Sequence, residues 1–432
     1  MTSPHRKIVL ATIGNLGPPA AAFISAPILA QTLGVFERGQ VAAATAPLML
    51  AASAATLGLP EAVTFFVARA GKTRVAGLVA KAMFLISIAG ILASALLFAL
   101  SPLLATGDPE VLALIHLSLV MVVPSLALII VRSASAGRGR WGLIALERTI
   151  GSAARLIAVL ALALTGQLTI VTATLTISVS MWIGLIAYFG LLQRRPEMRP
   201  VDARIGQLMG YGSRVWFGSL AGVLLSRIDQ LLIAPLSDAA ALGIYVVAVA
   251  IAELVLVFNN AVRDVYFAEE SRSPDMSRVA RAARLSTIVT AVLALMVAFA
   301  SVWGIPALFG EEFAAAIVPT WILLAAVVLG NPGSLAGAGL SAYGKPHLRS
   351  WSLLFALIAN IGVLVILVPS MGAVGAAIAT AVGNVFAAGI NLLWVRRVDK
   401  QFSASQFVLV RRDDFSTLMK TLTSEIRRRG KQ

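Results

Sequence analysis

Apolar runs long enough to cross a bilayer constrain this chain more than any other feature. Between about residues 8 and 395, charge clusters are separated by stretches matching or exceeding the roughly 18 to 20 apolar residues that span a hydrocarbon core. A water-soluble fold would have to break such stretches with polar turns. Composition agrees: 59% of the 432 residues are hydrophobic and 13% are charged, against roughly 25% charged in soluble domains. The expected fold class is all-α, a polytopic membrane protein.

Several chemistries are excluded at once. With no Cys there is no disulfide framework, no thiolate nucleophile and no Cys-based metal site, and His5, His116 and His347 are too scattered for a ligand cluster. No metal or cofactor is expected. The net charge of +15 would suit nucleic acid only if the cations lay on one watery surface. They lie instead in short gaps between apolar runs, which makes them topology signals and rules against a nucleic-acid partner.

Reading runs against charge clusters gives twelve spans: about 8 to 33, 40 to 68, 77 to 101, 111 to 131, 141 to 165 and 168 to 192, then about 212 to 236, 239 to 262, 285 to 306, 314 to 335, 350 to 369 and 372 to 395. The first two are long for a bilayer, so tilt or kinks are expected at Pro18, Pro19, Pro47 and Pro60. Alternate connections carry the cations: Arg6 and Lys7; Arg69, Lys72 and Arg74; Arg132, Arg138 and Arg140; Arg194, Arg195, Arg199 and Arg204; Arg263 to Arg284; Lys345 and Arg349; and the tail from Arg396. The opposite connections hold Glu37, Asp108, Glu110, Asp238, Glu311 and Glu312 with the single cation Arg38. This bias places both termini in the cytoplasm of a multi-pass plasma-membrane protein. The opening apolar stretch is too long for a signal-peptide core and reads as an uncleaved first span.

Three short echoes relate the halves. Leu33 to Val41 resembles Leu236 to Ile244, Phe65 to Arg69 is followed at similar distance by Tyr266 to Glu270, and Ala136-Gly137-Arg138 by Tyr343-Gly344-Lys345, all at nearly one offset. Six spans per half make the repeat parallel, with two pseudo-symmetric lobes around a central cavity. The expected domains are an N-terminal lobe over 1–192, a cytoplasmic linker over 193–211, a C-terminal lobe over 212–395 and a basic tail over 396–432. Val201, Ile205 and Leu208 suggest that the linker lies on the membrane surface. Phe415, Leu418, Met419, Leu422 and Ile426 ahead of Arg427, Arg428 and Arg429 suggest an interfacial helix held by anionic lipid.

Ionisable groups at membrane depth are costly and default to functional hypotheses. Here they are Glu61, Glu147, Arg148, Arg155, Arg227, Asp229 and Glu253. At about 1.5 Å per residue, Arg227 lies roughly 18 Å and Arg155 roughly 20 Å from the cytoplasmic edge, too deep to snorkel. Arg148 and Arg155, seven residues apart, share a helix face with Gly151 and Ser152 between them. Such a ladder suits phosphate, because the planar guanidinium fork binds its oxygens in bidentate fashion. The substrate-diphosphate candidates are therefore Arg148, Arg155 and Arg227. Glu253 falls near the depth of Arg227, and Glu61, Asp229 and Glu253 are the candidates for ion coupling or gating. The alternative for each is a structural ion pair, such as Glu147 with Arg148, or Arg227 with Asp229 or Glu253. Gly14, Gly17, Pro18, Pro19 and Pro27, and Asn331-Pro332-Gly333, either open backbone carbonyls toward a cavity or serve as packing sites.

The stretches Ser226-Arg227-Ile228-Asp229-Gln230-Leu231-Leu232-Ile233 and Ala241-Leu242-Gly243-Ile244-Tyr245, the hairpin Leu33-Gly34-Val35-Phe36-Glu37-Arg38-Gly39-Gln40, Leu57-Gly58-Leu59-Pro60-Glu61 and Gly344-Lys345-Pro346 together resemble polysaccharide and O-antigen flippases of the multidrug, oligosaccharidyl-lipid and polysaccharide exporter superfamily. The resemblance covers about 8 to 395. It implies a V-shaped alternating-access transporter that moves an undecaprenyl-diphosphate-linked oligosaccharide to the outer leaflet. It implies as partners that lipid-linked oligosaccharide, the bilayer, and a polysaccharide polymerase with export machinery. Twelve spans match the polysaccharide branch and lack the two extra spans of the lipid II branch. A multidrug antiporter would favour acidic and aromatic groups for cationic drugs over deep arginines. An integral membrane polymerase or glycosyltransferase would need catalytic carboxylates or a metal on a sizeable outer loop, and no outer connection is long enough. The expectation is a transporter, not an enzyme.

Overall fold

The structure, a computed structural model, describes residues 4–70, 75–189, 205–270 and 275–409. The tail helix expected from Phe415 to Ile426, and Lys72, Arg74, Val201, Arg272 and the linker arginines Arg194 to Arg204, lie outside the described residues.

Every regular element is helical among the described residues. In chain order these are α1 (Pro4–Ala54), α2 (Leu59–Arg69), α3 (Ala76–Leu104), α4 (Pro109–Leu119), α5 (Val122–Gly137), α6 (Trp141–Leu164), α7 (Ile170–Ile183) with a 3-10 turn (Gly184–Tyr188), α8 (Ile205–Leu236), α9 (Ala239–Glu270), α10 (Met276–Phe309), a 3-10 turn (Glu311–Ala316), α11 (Ile317–Ala342), α12 (Pro346–Val398) and α13 (Ala404–Val408). In hydrocarbon this is the economical solution, since a helix closes its own backbone hydrogen bonds. Nine helices among the described residues are long and apolar enough to cross a membrane. Helix α6 has the length, 24 residues, and fails only on composition, because it carries Glu147, Arg148 and Arg155.

Two of the helices are too long for a single crossing. The 53 residues of α12 would extend about 80 Å if straight. The chain folds back at Gly372, whose φ of 50° and ψ of −126° leave the helical region. A Cβ on Gly375 would lie 2.7 Å from the carbonyl of Leu367, and one on Gly383 3.0 Å from the Cβ of Asn360, so the two limbs run antiparallel in close contact. Helix α1 leaves helical geometry at Gly34, φ 72° and ψ −179°. Leu29 and Leu33 before that break and Val41 and Ala44 after it are buried in one core cluster. The interior prolines Pro18, Pro19, Pro27 and Pro47 do not interrupt α1. The second interruption falls at residues 55–58, where Leu57 and Gly58 both have positive φ, ahead of Pro60.

The sequence read residues 205–211 as linker, but they form the first turns of α8, with Leu208 fully buried and Tyr211 stacked on Phe65 at 4.5 Å. Of the two readings of Asn331-Pro332-Gly333, packing is the one observed. A Cβ on Gly333 would lie 2.1 Å from the Cα of Ala388, Asn391 Nδ2 donates to the Gly333 carbonyl at 3.1 Å, and Asn331 Nδ2 donates to Ser286 and Thr287.

Side-chain contacts sort the connections into two ends. At the acidic end Gln40 Nε2 donates to Asp108 at 2.7 Å, Gln31 Nε2 to the Leu308 carbonyl at 2.9 Å, and Gly34 lies against Glu312. At the basic end Trp216 Nε1 donates to the Ala54 carbonyl at 2.7 Å, Gly58 and Gly212 meet backbone to backbone, and Met276 N–H donates to the Tyr343 hydroxyl. Phe407 of α13, fully buried, packs with Met276, Val279, Leu340 and Val395.

The N-terminal and C-terminal helices meet most closely at the acidic end. A Cβ on Gly39 would lie 1.7 Å from the Ala239 carbonyl oxygen, and one on Gly243 2.1 Å from that of Val35. The two contacts interchange under a single shift of 204 residues (243 minus 39, and 239 minus 35), so α1 and α9 cross about a local two-fold axis. Lipid gives apolar helices no hydrophobic reason to associate, and such bare-backbone approach is a principal source of their adhesion. Gly39→Ala and Gly243→Ala are each expected to lower the thermal unfolding temperature of the detergent-solubilised protein, by the roughly 1–3 kcal/mol of an overpacked contact or more. Gly304→Ala, with nothing within 4 Å, is the control that leaves it unchanged. Equal unfolding temperatures for all three would remove this crossing as an anchor.

Candidate functional site

Helix α8 has two faces. One packs on α12: Gly218 approaches Ser350, Gly222 approaches Leu353, and Leu225 lies against Gly383. Asp229, a turn further on that face and 3% exposed, accepts hydrogen bonds from the hydroxyls of Tyr245 and Thr380 and from the Gln230 N–H. The other face carries Trp216, whose indole reaches the first half of the chain at Ala54. Arg227, eleven residues or three turns later, shares that face. It therefore lies on the opposite side of α8 from Asp229. Arg227 Nη2 meets Glu253 Oε1 of α9 at 3.2 Å, with the two side chains 40% and 39% exposed. A half-exposed monodentate pair of this kind is weak, so an incoming anion can take the guanidinium from Glu253 at small cost.

Helix α6 positions the other arginines. Its Gly151 lies against Ser180 and Met181, and Gly184 against the Glu147 backbone, so α7 docks closely on that side. Ser152 turns instead toward Gly17 of α1. Arg148 and Arg155, one turn either side of Ser152, share its face. Gly151 therefore admits a neighbouring helix, and only Ser152 stands between the two arginines.

Glu147 does not pair with Arg148 in the way the sequence suggested. It is 2% exposed and is held in bidentate fashion by Arg132, Nε to Oε2 at 2.9 Å and Nη2 to Oε1 at 2.8 Å, with the Tyr188 hydroxyl donating at 3.3 Å. Arg132, read from sequence as a loop cation, is thus a structural clamp between α5 and α6. The two residues stand on facing limbs of the helical hairpin that turns after Gly137. Glu61, placed by the sequence inside the second span, stands exposed in the first turn of α2, beyond the apolar segment that ends at Ala54.

Of the predicted residues, Arg148 and Arg155 share a face of α6 two turns apart, and Arg227 meets Glu253. Asp229 lies on the opposite face of α8 from Arg227, and Glu61 lies apart at the basic end. Sequence reasoning missed Tyr245 and Thr380, the hydroxyl partners of Asp229, because nothing in their spacing distinguishes them from other polar residues in apolar helices. It also missed Arg38 of α1, whose Nε, like that of Arg155, is buried and finds no hydrogen-bond acceptor among the described residues.

Comparison with known proteins supplies a family and a fold. The family model for polysaccharide biosynthesis protein matches residues 5–267. The chain is similar to lipid II flippase MurJ in an inward closed conformation, at 13% identity with 92% of this chain and 89% of that chain covered and a TM-score of 0.72. It is similar to a multidrug resistance MATE family transporter of the MOP superfamily in its inward-facing conformation, at 17% identity, 90% and 98% coverage and a TM-score of 0.65. A MATE transporter from Vibrio cholerae, VcmN, matches at 17% identity, 93% and 97% coverage and a TM-score of 0.62. The search of curated proteins returns no match.

The Arg132–Glu147 clamp gives a sharp expectation. Glu147→Gln leaves a largely buried guanidinium without a counter-charge and is expected to cost about 3–5 kcal/mol, whereas replacing both residues by Met should recover most of that loss. Unfolding transitions of the purified variants measure this. A single substitution no more damaging than the double one would show that the pair is not a structural anchor.

Proposed function

The chain belongs to the polysaccharide biosynthesis protein family, and from that premise we propose that it is a flippase carrying a polyprenyl-diphosphate-linked oligosaccharide across the plasma membrane by alternating access. The observation that carries this reading is Arg227. It stands at the midpoint of the apolar segment Gly218–Leu236 and, among the described residues, is held only by the weak pair with Glu253. A diphosphate crossing hydrocarbon carries a charge that nothing apolar can shelter, and a guanidinium at mid-depth with an exchangeable partner lowers that cost. Arg148 and Arg155 on one face of α6 supply a second set of donors, entered from the basic end.

In this reading the membrane is crossed twelve times: α1 and α12 each cross twice by folding back at Gly34 and Gly372, and α6 crosses despite its charges. The two sets of six form lobes, with the basic end in the cytoplasm as the distribution of Lys and Arg favours, and the two-fold contact at Gly39 and Gly243 supports their relation. Displacement of Glu253 from Arg227 by substrate frees a carboxylate to take up a proton or cation, which couples transport to a gradient. Asp229, held by two hydroxyls, and Glu61, near the basic end, are the other carboxylates that could serve as coupling or gating groups. A polymerase and export machinery would consume the product on the far side, and we assign no bond-making chemistry to this chain.

The MOP fold also serves multidrug antiporters, and the deep arginines favour an anionic cargo over a cationic one. Transport in proteoliposomes decides between them, with a fluorescent polyprenyl-diphosphate oligosaccharide in one arm and a cationic dye in the other. Movement of the lipid is expected, slowed about tenfold or more by Arg227→Ala and by Arg155→Ala, the loss of one charge-assisted contact each. Movement of the dye alone would overturn the reading, and lipid movement indifferent to both substitutions would overturn the site.

A further inference from the structure

Two arginines near the acidic end, each partly exposed, carry a buried Nε–H with no acceptor among the described residues. Arg38 lies four residues past the Gly34 break in α1, and Arg155 nine residues before the end of α6 at Leu164. Their Cα atoms therefore sit about 6 Å and about 14 Å along their helices from that end. Both helices pack on a shared core one turn beyond these residues. Val41, one turn after Arg38, and Val159, one turn after Arg155, are both fully buried in the same cluster.

Neither side chain has an ion-pair or hydrogen-bond partner among the described residues, and the Nε of each is sealed from solvent. Two carboxylates of this end are engaged elsewhere. Asp108 accepts from Gln40 and from the first turn of α4, and Asp238 accepts from the Ala241 N–H. Two like charges brought near one another, each with a sealed Nε–H that finds no acceptor, are unfavourable unless an anion completes the arrangement. Arg132 shows how this protein treats a buried guanidinium whose role is purely structural, by supplying a carboxylate in bidentate register.

We infer that Arg38 and Arg155 together form an oxyanion site for a phosphoryl group, held between α1 and α6 toward the acidic end and separate from the Arg227–Glu253 pair. The guanidinium fork matches phosphoryl oxygens through parallel N–H donors, one of them the Nε–H. The phosphoryl group can be that of the lipid carrier or a free phosphate. The lipid source rests on the flippase reading, and the site itself does not. On that reading Arg38 and Arg155 form the station that holds the diphosphate as it leaves toward the acidic end.

Binding of inorganic pyrophosphate to the purified full chain, measured by calorimetry and by thermal stabilisation at ionic strength matched with sodium chloride, tests the site. Saturable binding is expected, weakened about tenfold or more by Arg38→Gln and by Arg155→Gln. The double variant should be little weaker than either single one, and Lys400→Gln, an exposed cation, should bind normally. If the Gln variants do not fold, Arg38→Lys and Arg155→Lys retain the charge without the fork and should still weaken binding. Pyrophosphate acting no differently from chloride, or binding untouched by these substitutions, overturns the site. Competition by the polyprenyl-diphosphate oligosaccharide identifies the lipid as the natural source, and its absence identifies a free phosphate. Pyrophosphate bound through both arginines in a protein that carries no lipid would sink the flippase reading and leave the site standing.

Discussion

A charge in hydrocarbon needs a counter-charge or a wet surface, and this requirement orders the interior of the molecule. Arg132 meets it fully: its fork is closed by Glu147, the carboxylate is steadied by Tyr188, and the ensemble is buried. Arg227 meets it loosely, with one long contact to a carboxylate that is itself half-exposed. Arg38 and Arg155 do not meet it within the described protein. The three cases form a series from finished structure to unmet demand, and the proposed cargo, an anion that cannot otherwise enter oil, answers the demand at its far end. Asp229 shows the same rule with the sign reversed, a buried carboxylate surrounded by hydroxyl and amide donors.

Helix packing follows from the same solvent. Because lipid does not press apolar helices together, contacts come from small residues that let backbones approach. Gly333 on Ala388, Gly375 on Leu367, Gly137 on Thr64 and Gly184 on Glu147 each place a bare backbone where a Cβ would collide with a neighbour. Long helices then need few specific side chains to find their register. The breaks at Gly34 and Gly372 turn two overlong helices into hairpins without a polar loop.

The all-helical fold was legible because length and apolarity leave no other solution, and the breaks at Gly34 and Gly372 fall close to two boundaries read from sequence. The pairing of Arg227 with Glu253 was legible too, since both depths follow from the rise of a helix. Depth is a one-dimensional quantity, and direction around the helix axis decided the remainder. Asp229, two residues from Arg227, faces the opposite way, and Glu61 lies beyond an interruption at residues 55–58 that shifts it out of the apolar segment. Arg38 was read as a lone loop cation, because a sequence cannot show that a residue four positions past a turn folds inward against a helix more than a hundred residues away. Arg132 escaped for the same reason, its partner lying on the facing limb of the next helix.

The crossing at Gly39 and Gly243 has a mechanical meaning. Where interlocked side chains join two bodies, rotation requires them to disengage, and the cost rises with every tooth. Here peptide rests on peptide on a local dyad, without teeth, so each half sees the same bearing surface when the other tilts. Such a joint would resist separation more than rolling, and a roll there would be felt most at the far end of the 32-residue α9.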